Sequence, residues 1–206
     1  INRDHIRKRR GSNTPLLRLR ESEKEREMEL ALLLTALTLA WLVRIILVML
    51  QGRSQQPIGA PPLHTMVVLG SGGHTAEMIS LLSTLDPATY GPREYVLATS
   101  DHTSAQRIEA FEAGLAKSQY NLLRLPRSRE VGQSYASSVA TTLYALLHAH
   151  LLVLRRRPSL LICNGPGTCI PVCLSAFALR LLGIKYVHIV YVESICRVET
   201  ISLSGK

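Results

Sequence analysis

The sequence has 206 residues, of which 47% are hydrophobic and 19% are charged. This length suffices for one α/β domain and a smaller segment, and the apolar content excludes a chain that is disordered throughout. The formal net charge of +9 favours an anionic partner, such as membrane lipid or a phosphate-bearing substrate. Nucleic acid is disfavoured as a partner, because the few aromatic residues (one Trp, seven Tyr, two Phe) are not interleaved with Lys or Arg.

The N-terminal part of the chain changes composition twice. Residues 1–29 combine many basic and acidic side chains, and we expect a disordered extension there. Residues 30–50 are apolar apart from two Thr and one Arg. As a helix they would span about 31 Å, close to the thickness of a hydrocarbon core, so we predict an anchor helix that crosses the membrane or lies in its interface. Residues 51–62 are rich in Gln, Gly and Pro and are predicted to be a linker.

The charges around the apolar span predict an orientation. Lys and Arg are more frequent just before the span than just after it. The positive-inside rule therefore places the N-terminus in the cytosol and the rest of the chain on the other side of the membrane.

Residues 63–206 alternate between short apolar runs and stretches with helical spacing, and they are predicted to form one larger domain. Strands are predicted at residues 65–69, 94–99, 122–125, 159–163 and 185–192. Helices are predicted at residues 74–85, 104–113, 134–157 and 169–182. This alternation predicts an α/β, Rossmann-like parallel sheet with helices on both faces, in which ligands bind at the carboxyl ends of the strands.

A glycine-rich segment follows the first predicted strand and opens the first predicted helix of this domain. It consists of Gly70, Ser71, Gly72, Gly73, His74 and Thr75. Glycines let the backbone approach a ligand closely, and the free N–H groups of the following helix favour an anionic oxygen such as that of a pyrophosphate. The spacing differs from the fingerprints of dinucleotide-binding and P-loop proteins, so NAD, FAD and ATP are disfavoured.

His74, at the start of that helix, has two open interpretations. It is either a general base or hydrogen-bond donor to a phosphate, or a helix-start residue that is bonded locally. Glu77 lies one turn later and either orients His74 or interacts with the positive end of the helix. The second interpretation of Glu77 is favoured, because carboxylates are stabilised in the first turn of a helix.

A second glycine-rich loop follows the fourth predicted strand. Its Gly165 and Gly167 allow close approach of a ligand, and Thr168 is placed to cap the next helix. Alone, this segment is only a strand–helix turn. Because both glycine-rich loops are expected at the same edge of one sheet, we predict that together they form a single cleft.

Charged residues follow two further strands. Arg127 and Arg129, in the segment 127–130 after the third strand, belong either to a solvated loop or to a basic clamp for phosphate or lipid headgroups. Glu193 follows the last strand and is a candidate for binding a sugar hydroxyl or accepting a proton. A structural ion pair between Glu193 and Arg197 explains this carboxylate equally well.

The four cysteines do not indicate a metal centre or a disulfide framework. They lie at positions 163, 169, 173 and 196, without the spacing of a metal-ligand set. We therefore predict reduced, buried thiols and no metal site. A serine hydrolase is disfavoured as well, because the sequence has no GxSxG nucleophile elbow.

Four motifs occur in order along the predicted domain. They are VVLGSGGHTAEM (Val67–Met78), PRSREV (Pro126–Val131), CNGPGTC (Cys163–Cys169) and YVESICRVETISLSGK (Tyr191–Lys206). With these motifs the domain resembles the asparagine-linked glycosylation fourteen family. That family is the membrane-anchoring subunit of a bipartite transferase that adds the second N-acetylglucosamine to a dolichol-pyrophosphate carrier. The resemblance covers residues 63–206 almost continuously, and the apolar span corresponds to the family's N-terminal anchor.

The resemblance implies that the domain is the acceptor-binding half of a GT-B glycosyltransferase. A soluble subunit of the asparagine-linked glycosylation thirteen family would bind the donor, UDP-N-acetylglucosamine. The first glycine-rich loop, with His74 as the candidate base, would bind the acceptor dolichyl-pyrophosphate-N-acetylglucosamine, and the opposing wall would be formed by Asn164, Gly165, Gly167 and Thr168. No cofactor or metal is implied, and the chain is expected to be inactive alone. The alternative is a non-catalytic membrane scaffold that only recruits the partner.

The resemblance also implies a location. The family's site faces the cytosol at the endoplasmic reticulum membrane, with the nuclear envelope as a further location. This contradicts the positive-inside count, and we follow the resemblance because the nucleotide sugar and a soluble partner are expected in the cytosol. The family docks its partner partly through a C-terminal tail. Because the sequence stops at Lys206 before such a tail, and starts at Ile1, we expect a fragment that is open at both ends.

Overall fold

The computed structural model describes residues 15–51, 58–115, 119–128, 133–165 and 167–193. Arg129, Glu130, Cys196 and Arg197 lie outside the described residues, as does the part of the predicted extension before Pro15. The interpretations given to them stay predictions. The chain divides into two compact units, residues 1–54 and residues 55–206.

The N-terminal unit contains helix α1, Pro15–Gln51. We expected residues 15–29 to be disordered, and they are helical instead. The physical reason is that Leu, Glu, Lys, Arg and Met are good helix formers, and that opposite charges recur three residues apart along this stretch. Between Leu19 and Leu50, α1 is long and apolar enough to cross a membrane, which is compatible with the predicted anchor.

The described part of the C-terminal unit contains five strands and four helices. The strands are β1 Thr65–Val68, β2 Arg93–Ala98, β3 Tyr120–Leu125, β4 Leu160–Asn164 and β5 His188–Val192. The helices are α2 Gly73–Leu82, α3 His102–Ala113, α4 Tyr135–Arg156 and α5 Cys169–Leu181. Neighbouring strands are all parallel, in the order β3-β2-β1-β4-β5. The predicted α/β, Rossmann-like fold is therefore confirmed.

Helices cover both faces of the sheet, as predicted. Strands β1, β2 and β4 are buried at every residue, because they lie in the centre of a parallel sheet, whereas β3 and β5 form its edges. One face packs against α4 and α5 through a core that includes Ala149 and Val172. The other face packs against α2 and α3 through a core that includes Met78 and Ile108.

The strand order creates a crevice at one point of the sheet. From β1 the chain continues to β2 and β3 on one side, and it then crosses to β4 and β5 on the other side. The connections after β1 and β4 therefore diverge, and open α/β sheets bind ligands at this point, beyond the carboxyl ends of the strands. The two glycine-rich loops follow these two strands.

Candidate functional site

A cleft of about 400 Å³ lies at this edge of the sheet. Its walls come from both glycine-rich loops, the start of α3 and the segment that follows β3. The cleft is lined by Leu69, Gly70, Ser71, His74, Ala98, Asp101, Arg127, Gly167 and Thr168. Six of these residues are among those predicted from the sequence, whereas Leu69, Ala98 and Asp101 are not.

The first glycine-rich loop ends in an uncapped helix N-terminus. Gly72 is the N-cap of α2, and no side chain of the described residues makes a capping hydrogen bond there. Its φ of 72° lies in the left-handed region that favours glycine, and within the described part of the chain a Cβ on Gly72 or Gly73 would meet no atom within 4 Å. The guanidinium of Arg107, on α3, donates to the carbonyl oxygen of Gly72 at 3.2 Å and holds the loop. The free N–H groups at this positive helix end are suited to bind an anionic oxygen.

The two glycine-rich loops pack against each other through their glycines. A Cβ on Gly70 would lie 2.9 Å from the carbonyl oxygen of Asn164, and a Cβ on Gly165 would lie 3.2 Å from the Cα of Gly70. The φ of Gly165 is 89°, again in the left-handed region. Cδ2 of His74 would lie 3.2 Å from either added Cβ. Glycine at both positions therefore permits the close approach on which the predicted cleft depends.

His74 lies in the cleft beside a carboxylate. Its side chain is 34% exposed, and Oε2 of Glu77 lies 3.5 Å from its Nδ1 without hydrogen-bond geometry. The same Glu77 oxygen accepts a hydrogen bond from Nδ2 of Asn164 at 3.1 Å. Glu77 thus links the two loops, which differs from the helix-end role that we favoured. Sequence reasoning missed this because Asn164 is distant along the chain and approaches only through the crossing from β1 to β4.

Asn164 supports the cleft from behind. It is fully buried, and within the described ranges its Oδ1 has no hydrogen-bond partner. It is not among the residues that line the cleft, and neither is Gly165. Both residues were predicted to form the wall opposite the first loop; instead the Asn164 side chain bonds Glu77, and Gly165 packs against Gly70.

Thr75 and Asp101 belong to a polar network behind the first loop. The hydroxyl oxygen of Thr75 lies 2.7 Å from the carbonyl oxygen of Gly70 and 2.7 Å from Oγ of Ser104. The backbone N–H of Ser104 donates to Asp101 at 3.0 Å, and its Oγ lies 2.8 Å from the second carboxylate oxygen. Thr75 is fully buried, so its position supports the loop instead of facing an acceptor as we expected. The signal for Asp101 was present in the sequence, since an Asp three residues before a Ser at a helix start is typical of an N-cap.

The second glycine-rich loop brings another helix N-terminus to the cleft. Thr168 occupies the N-cap of α5, but its side chain makes no capping hydrogen bond, contrary to our prediction. The reason is its backbone: φ −90° and ψ −20° are helical, whereas a capping side chain requires an extended N-cap residue. Oγ of Ser128 donates to the carbonyl oxygen of Gly167 at 3.1 Å and ties this loop to the segment after β3.

The remaining charged candidates lie in different places. Arg127 lines the cleft, where its guanidinium adds a positive charge, and Arg129 lies outside the described residues. Glu193 follows the edge strand β5, which β4 separates from β1, and it does not line the cleft. Of the two side chains predicted to accept a proton, His74 is the one that the cleft contains.

Three thiols meet where β4 joins α5. Cys163 and Cys169 are buried, as predicted, and Sγ of Cys163 lies 3.4 Å from Sγ of Cys173. Hydrogen bonds with the neighbouring Cys169 and Cys173 thiols, together with burial, raise the pKa of Cys163 well above its ordinary value. Within the described ranges, no group of three His, Cys, Asp or Glu side chains is placed to hold a metal ion. Whether the protein works without metal stays a prediction.

The fold and the cleft together define a class of protein. A parallel sheet with two uncapped helix N-termini and an arginine around its crevice is a Rossmann-like domain suited to an anionic ligand. The chain belongs to the Alg14 family, because the model of the family described as "Oligosaccharide biosynthesis protein Alg14 like" matches residues 65–206. The resemblance predicted from the four motifs is confirmed.

Curated relatives of the chain come from animals and fungi. The rat protein "UDP-N-acetylglucosamine transferase subunit ALG14" is 55% identical over 151 residues, which cover 70% of this chain and 69% of that protein. The human protein of the same name is 50% identical over 161 residues, covering 75% and 74%. The Schizosaccharomyces pombe protein of that name is 39% identical over 146 residues, covering 69% of each. No solved structure matches the chain.

Proposed function

We propose that this chain is the membrane-anchored, acceptor-binding subunit of a two-part UDP-N-acetylglucosamine transferase. Its C-terminal unit binds dolichyl-pyrophosphate-N-acetylglucosamine, and a soluble subunit of the asparagine-linked glycosylation thirteen family binds UDP-N-acetylglucosamine. The complex adds the second N-acetylglucosamine of the N-glycan precursor. The observation that carries this proposal is the meeting of two uncapped helix N-termini and Arg127 at one cleft.

The electrostatics of the cleft support a pyrophosphate ligand. Each helix N-terminus presents free N–H groups and the equivalent of about half a positive charge, and Arg127 adds a guanidinium. Open space in front of Gly72 and Gly73 leaves room for phosphate oxygens. The carboxylate of Asp101, in the same cleft, is directed toward Ser104 of its own helix, so it opposes an anion less than a free carboxylate would.

His74 is the residue that we assign to proton transfer. The acceptor hydroxyl gives its proton to the imidazole, and the hydroxyl oxygen forms a bond to the anomeric carbon of the donor sugar. The bond from that carbon to UDP breaks, and UDP leaves with the electron pair. Since Nδ1 of His74 is buried beside Glu77, we assign Nε2 as the nitrogen that accepts the proton of the acceptor hydroxyl. A positioned base of this kind contributes about 10²–10⁴-fold to the rate.

The proposal is tested by N-acetylglucosamine transfer from its UDP donor to a short prenyl-pyrophosphate-N-acetylglucosamine. The reaction is measured with the complete chain alone, the soluble subunit alone and the two together. We expect product only in the mixture. Turnover by this chain alone would contradict the division of labour, and no turnover by two subunits shown to be bound would contradict the assigned acceptor.

A His74→Ala variant separates catalysis from recruitment. We expect kcat to fall by about 10²–10⁴-fold because the base is lost. The variant should still bind the soluble subunit, because His74 lies in the cleft and the C-terminal tail implied by the resemblance is unchanged. His102→Ala is the matched control, since His102 is exposed and lies outside the cleft. Unchanged turnover by the His74 variant would favour the scaffold, in which this chain recruits the partner without touching substrate.

We also propose that α1 anchors the chain in the endoplasmic reticulum membrane and that the C-terminal unit faces the cytosol. The apolar stretch of α1 supports the anchor. The expected cytosolic location of the donor and of the soluble subunit supports the orientation. Glycosylation of introduced acceptor sites in microsomes tests which side of the membrane each end of the chain occupies.

A further inference from the structure

Helix α4 exposes a row of large apolar side chains. Among them are residues at intervals of four, which follow one side of the helix, and Tyr144 beside them. They are 47–61% exposed and comprise Val139, Leu143, Tyr144, Leu147 and Leu151. From Val139 to Leu151 the row is about 18 Å long. We call these five residues, together with those of α5 described below, the apolar face.

The opposite side of α4 belongs to the core of the domain. Ala145, Ala149 and Val153 are at most 2% exposed, and Ala149 and Val153 belong to the core shared with the sheet and α5. By length and composition alone, Ser137–Arg156 also passes as a membrane span. Crossing a bilayer would require α4 to leave the core, so the exposed side can only meet a surface that approaches the folded domain.

Helix α5 also exposes apolar side chains, close to the cleft in the chain. Ile170 and Leu174 are 46% and 51% exposed on α5, the helix that packs against α4. Ile170 lies two residues after Thr168, which lines the cleft. On α4, the hydroxyl of Thr141 donates to the carbonyl oxygen of Ser128 at 2.8 Å, in the segment that carries Arg127. The apolar residues of both helices therefore begin close to the rim of the cleft.

The charges on and beside the apolar face indicate which kind of partner covers it. Neither α4 nor α5 contains an acidic residue, and α4 ends in the exposed Arg155 and Arg156, followed by the exposed C-cap residue Arg157. Nη1 of Arg156 is paired with Oε1 of Glu94 at 3.1 Å, which leaves Arg155 and Arg157 for an anionic surface. Apolar side chains beside arginines, with a tyrosine between them, are typical of elements that lie at the surface of an anionic bilayer. The same chain carries α1, so a bilayer that holds α1 tethers this domain to a lipid surface.

We propose that the apolar face docks on the surface of an anionic lipid bilayer. Its aliphatic side chains enter the boundary between headgroups and acyl chains, and Arg155 and Arg157 contact lipid phosphates. This contact is separate from the anchor α1, and it needs neither substrate nor the soluble subunit. Its consequence is that the rim of the cleft lies at the level of the headgroups, where a lipid-linked pyrophosphate is found.

Tryptophan fluorescence in liposomes tests the proposal with the full chain. The sequence has a single Trp, at position 41, so a Trp41→Phe background leaves each introduced Trp as the only one. Leu147→Trp and, independently, Leu143→Trp report from the apolar face. Gln106→Trp is the matched control, because Gln106 is exposed on α3, which covers the other face of the sheet. Liposomes contain phosphatidylserine and phosphatidylcholine with acyl chains brominated near the headgroup.

We expect brominated lipid to quench the Leu147→Trp and Leu143→Trp variants by at least half, and the Gln106→Trp variant by less than a tenth. Replacing phosphatidylserine with phosphatidylcholine should reduce the quenching of these two variants about twofold. Adding Arg155→Gln and Arg157→Gln to them should have the same effect. Quenching at both helix α4 positions no greater than in the control would overturn the proposal. Blue-shifted emission without quenching would also overturn it, by showing that a protein surface covers the face. Because no transfer reaction is involved, an inactive complex would leave this result unaffected.

Discussion

At the scale of single residues, the cleft depends on two glycines, whose lack of a side chain lets the loops approach each other. The loops after β1 and β4 approach closely because Gly70 and Gly165 carry no Cβ, and the His74 ring lies in the gap that remains. A larger residue at either glycine would separate the loops and move His74. The position of the proposed base is therefore set by two glycines, of which Gly70 also lines the cleft and Gly165 does not.

Gly165→Ala is expected to destabilise the C-terminal unit by about 1–3 kcal/mol. The added Cβ would lie 3.2 Å from the Cα of Gly70, and a φ of 89° strains any residue with a Cβ. Transfer activity should fall more than stability explains, because His74 is displaced. Denaturant unfolding and the transfer assay measure the two effects.

Gly167→Ala is the matched control for this prediction. Gly167 lies in the same loop, but its φ is not positive, and a Cβ there meets no atom of the described residues within 4 Å. Its free energy of unfolding should stay within about 0.5 kcal/mol of the wild type. Equal losses of unfolding free energy in the two variants would show that the contact between Gly165 and Gly70 does not stabilise the domain.

At the scale of elements, a buried ion pair joins β2 to α3. Nη1 of Arg93 lies 3.4 Å from Oε1 of Glu112, and both side chains are almost completely buried. Arg93 also donates to the carbonyl oxygens of Tyr90 and Leu85, and the hydroxyl of Tyr95 donates to Glu112. Burial and the neighbouring carboxylate raise the pKa of Tyr95, so it remains a donor at physiological pH. These bonds fix the helix whose other end carries Asp101 into the cleft.

Glu112→Ala is expected to cost about 3–5 kcal/mol of unfolding free energy, because Arg93 would be left buried and unpaired. The double variant Arg93→Met, Glu112→Leu should recover part of that loss, since it removes both charges but leaves the buried Tyr95 hydroxyl without its acceptor. Glu109→Ala, on the exposed side of the same helix, is the control and should change stability by less than about 0.5 kcal/mol. A Glu112→Ala loss as small as the control's would mean that the pair contributes nothing to holding α3.

At the scale of the whole molecule, the side of the membrane that the C-terminal unit occupies decides whether the proposed reaction is feasible. The positive-inside count places this unit across the membrane from the cytosol, whereas the family resemblance places it in the cytosol. Glycosylation in microsomes distinguishes the two, because N-glycans are added only in the lumen. The sequence has no Asn-x-Ser/Thr site of its own, so introduced sites report without background.

Two single substitutions of proline introduce such sites on either side of the apolar span. Pro15→Ser completes an acceptor site that begins at Asn13, and Pro87→Asn introduces an acceptor asparagine two residues before Thr89, in a partly exposed turn. We expect the first variant to be glycosylated and the second to remain unmodified, because an α1 that crosses the membrane, with the C-terminal unit in the cytosol, puts the N-terminus in the lumen. A mobility shift removed by endoglycosidase measures the modification. The reverse pattern would support the positive-inside count and contradict the proposed orientation.

Much of this molecule follows from local sequence signals. Alternating apolar runs and helical spacing predicted the strands, the helices and the parallel sheet, since these patterns depend on residues close together in the chain. The glycines at 70, 72, 165 and 167 marked the loops of the cleft for the same reason. The apolar composition of residues 30–50 likewise predicted a helix. The charged residues before them were predicted to be disordered, but from Pro15 onward they belong to the same helix.

The tertiary structure alone decided which of these residues work together. Only the crossing from β1 to β4 brings Asn164 to Glu77, and only the packed helices turn Thr75 inward to Ser104 and place Asp101 in the cleft. Likewise, the composition of α4 showed that it is apolar, but packing decided which side is buried and which forms the apolar face. Propensity, hydrophobic period and glycine chemistry are properties of neighbouring residues, whereas these contacts join distant segments that only the packed sheet brings within reach.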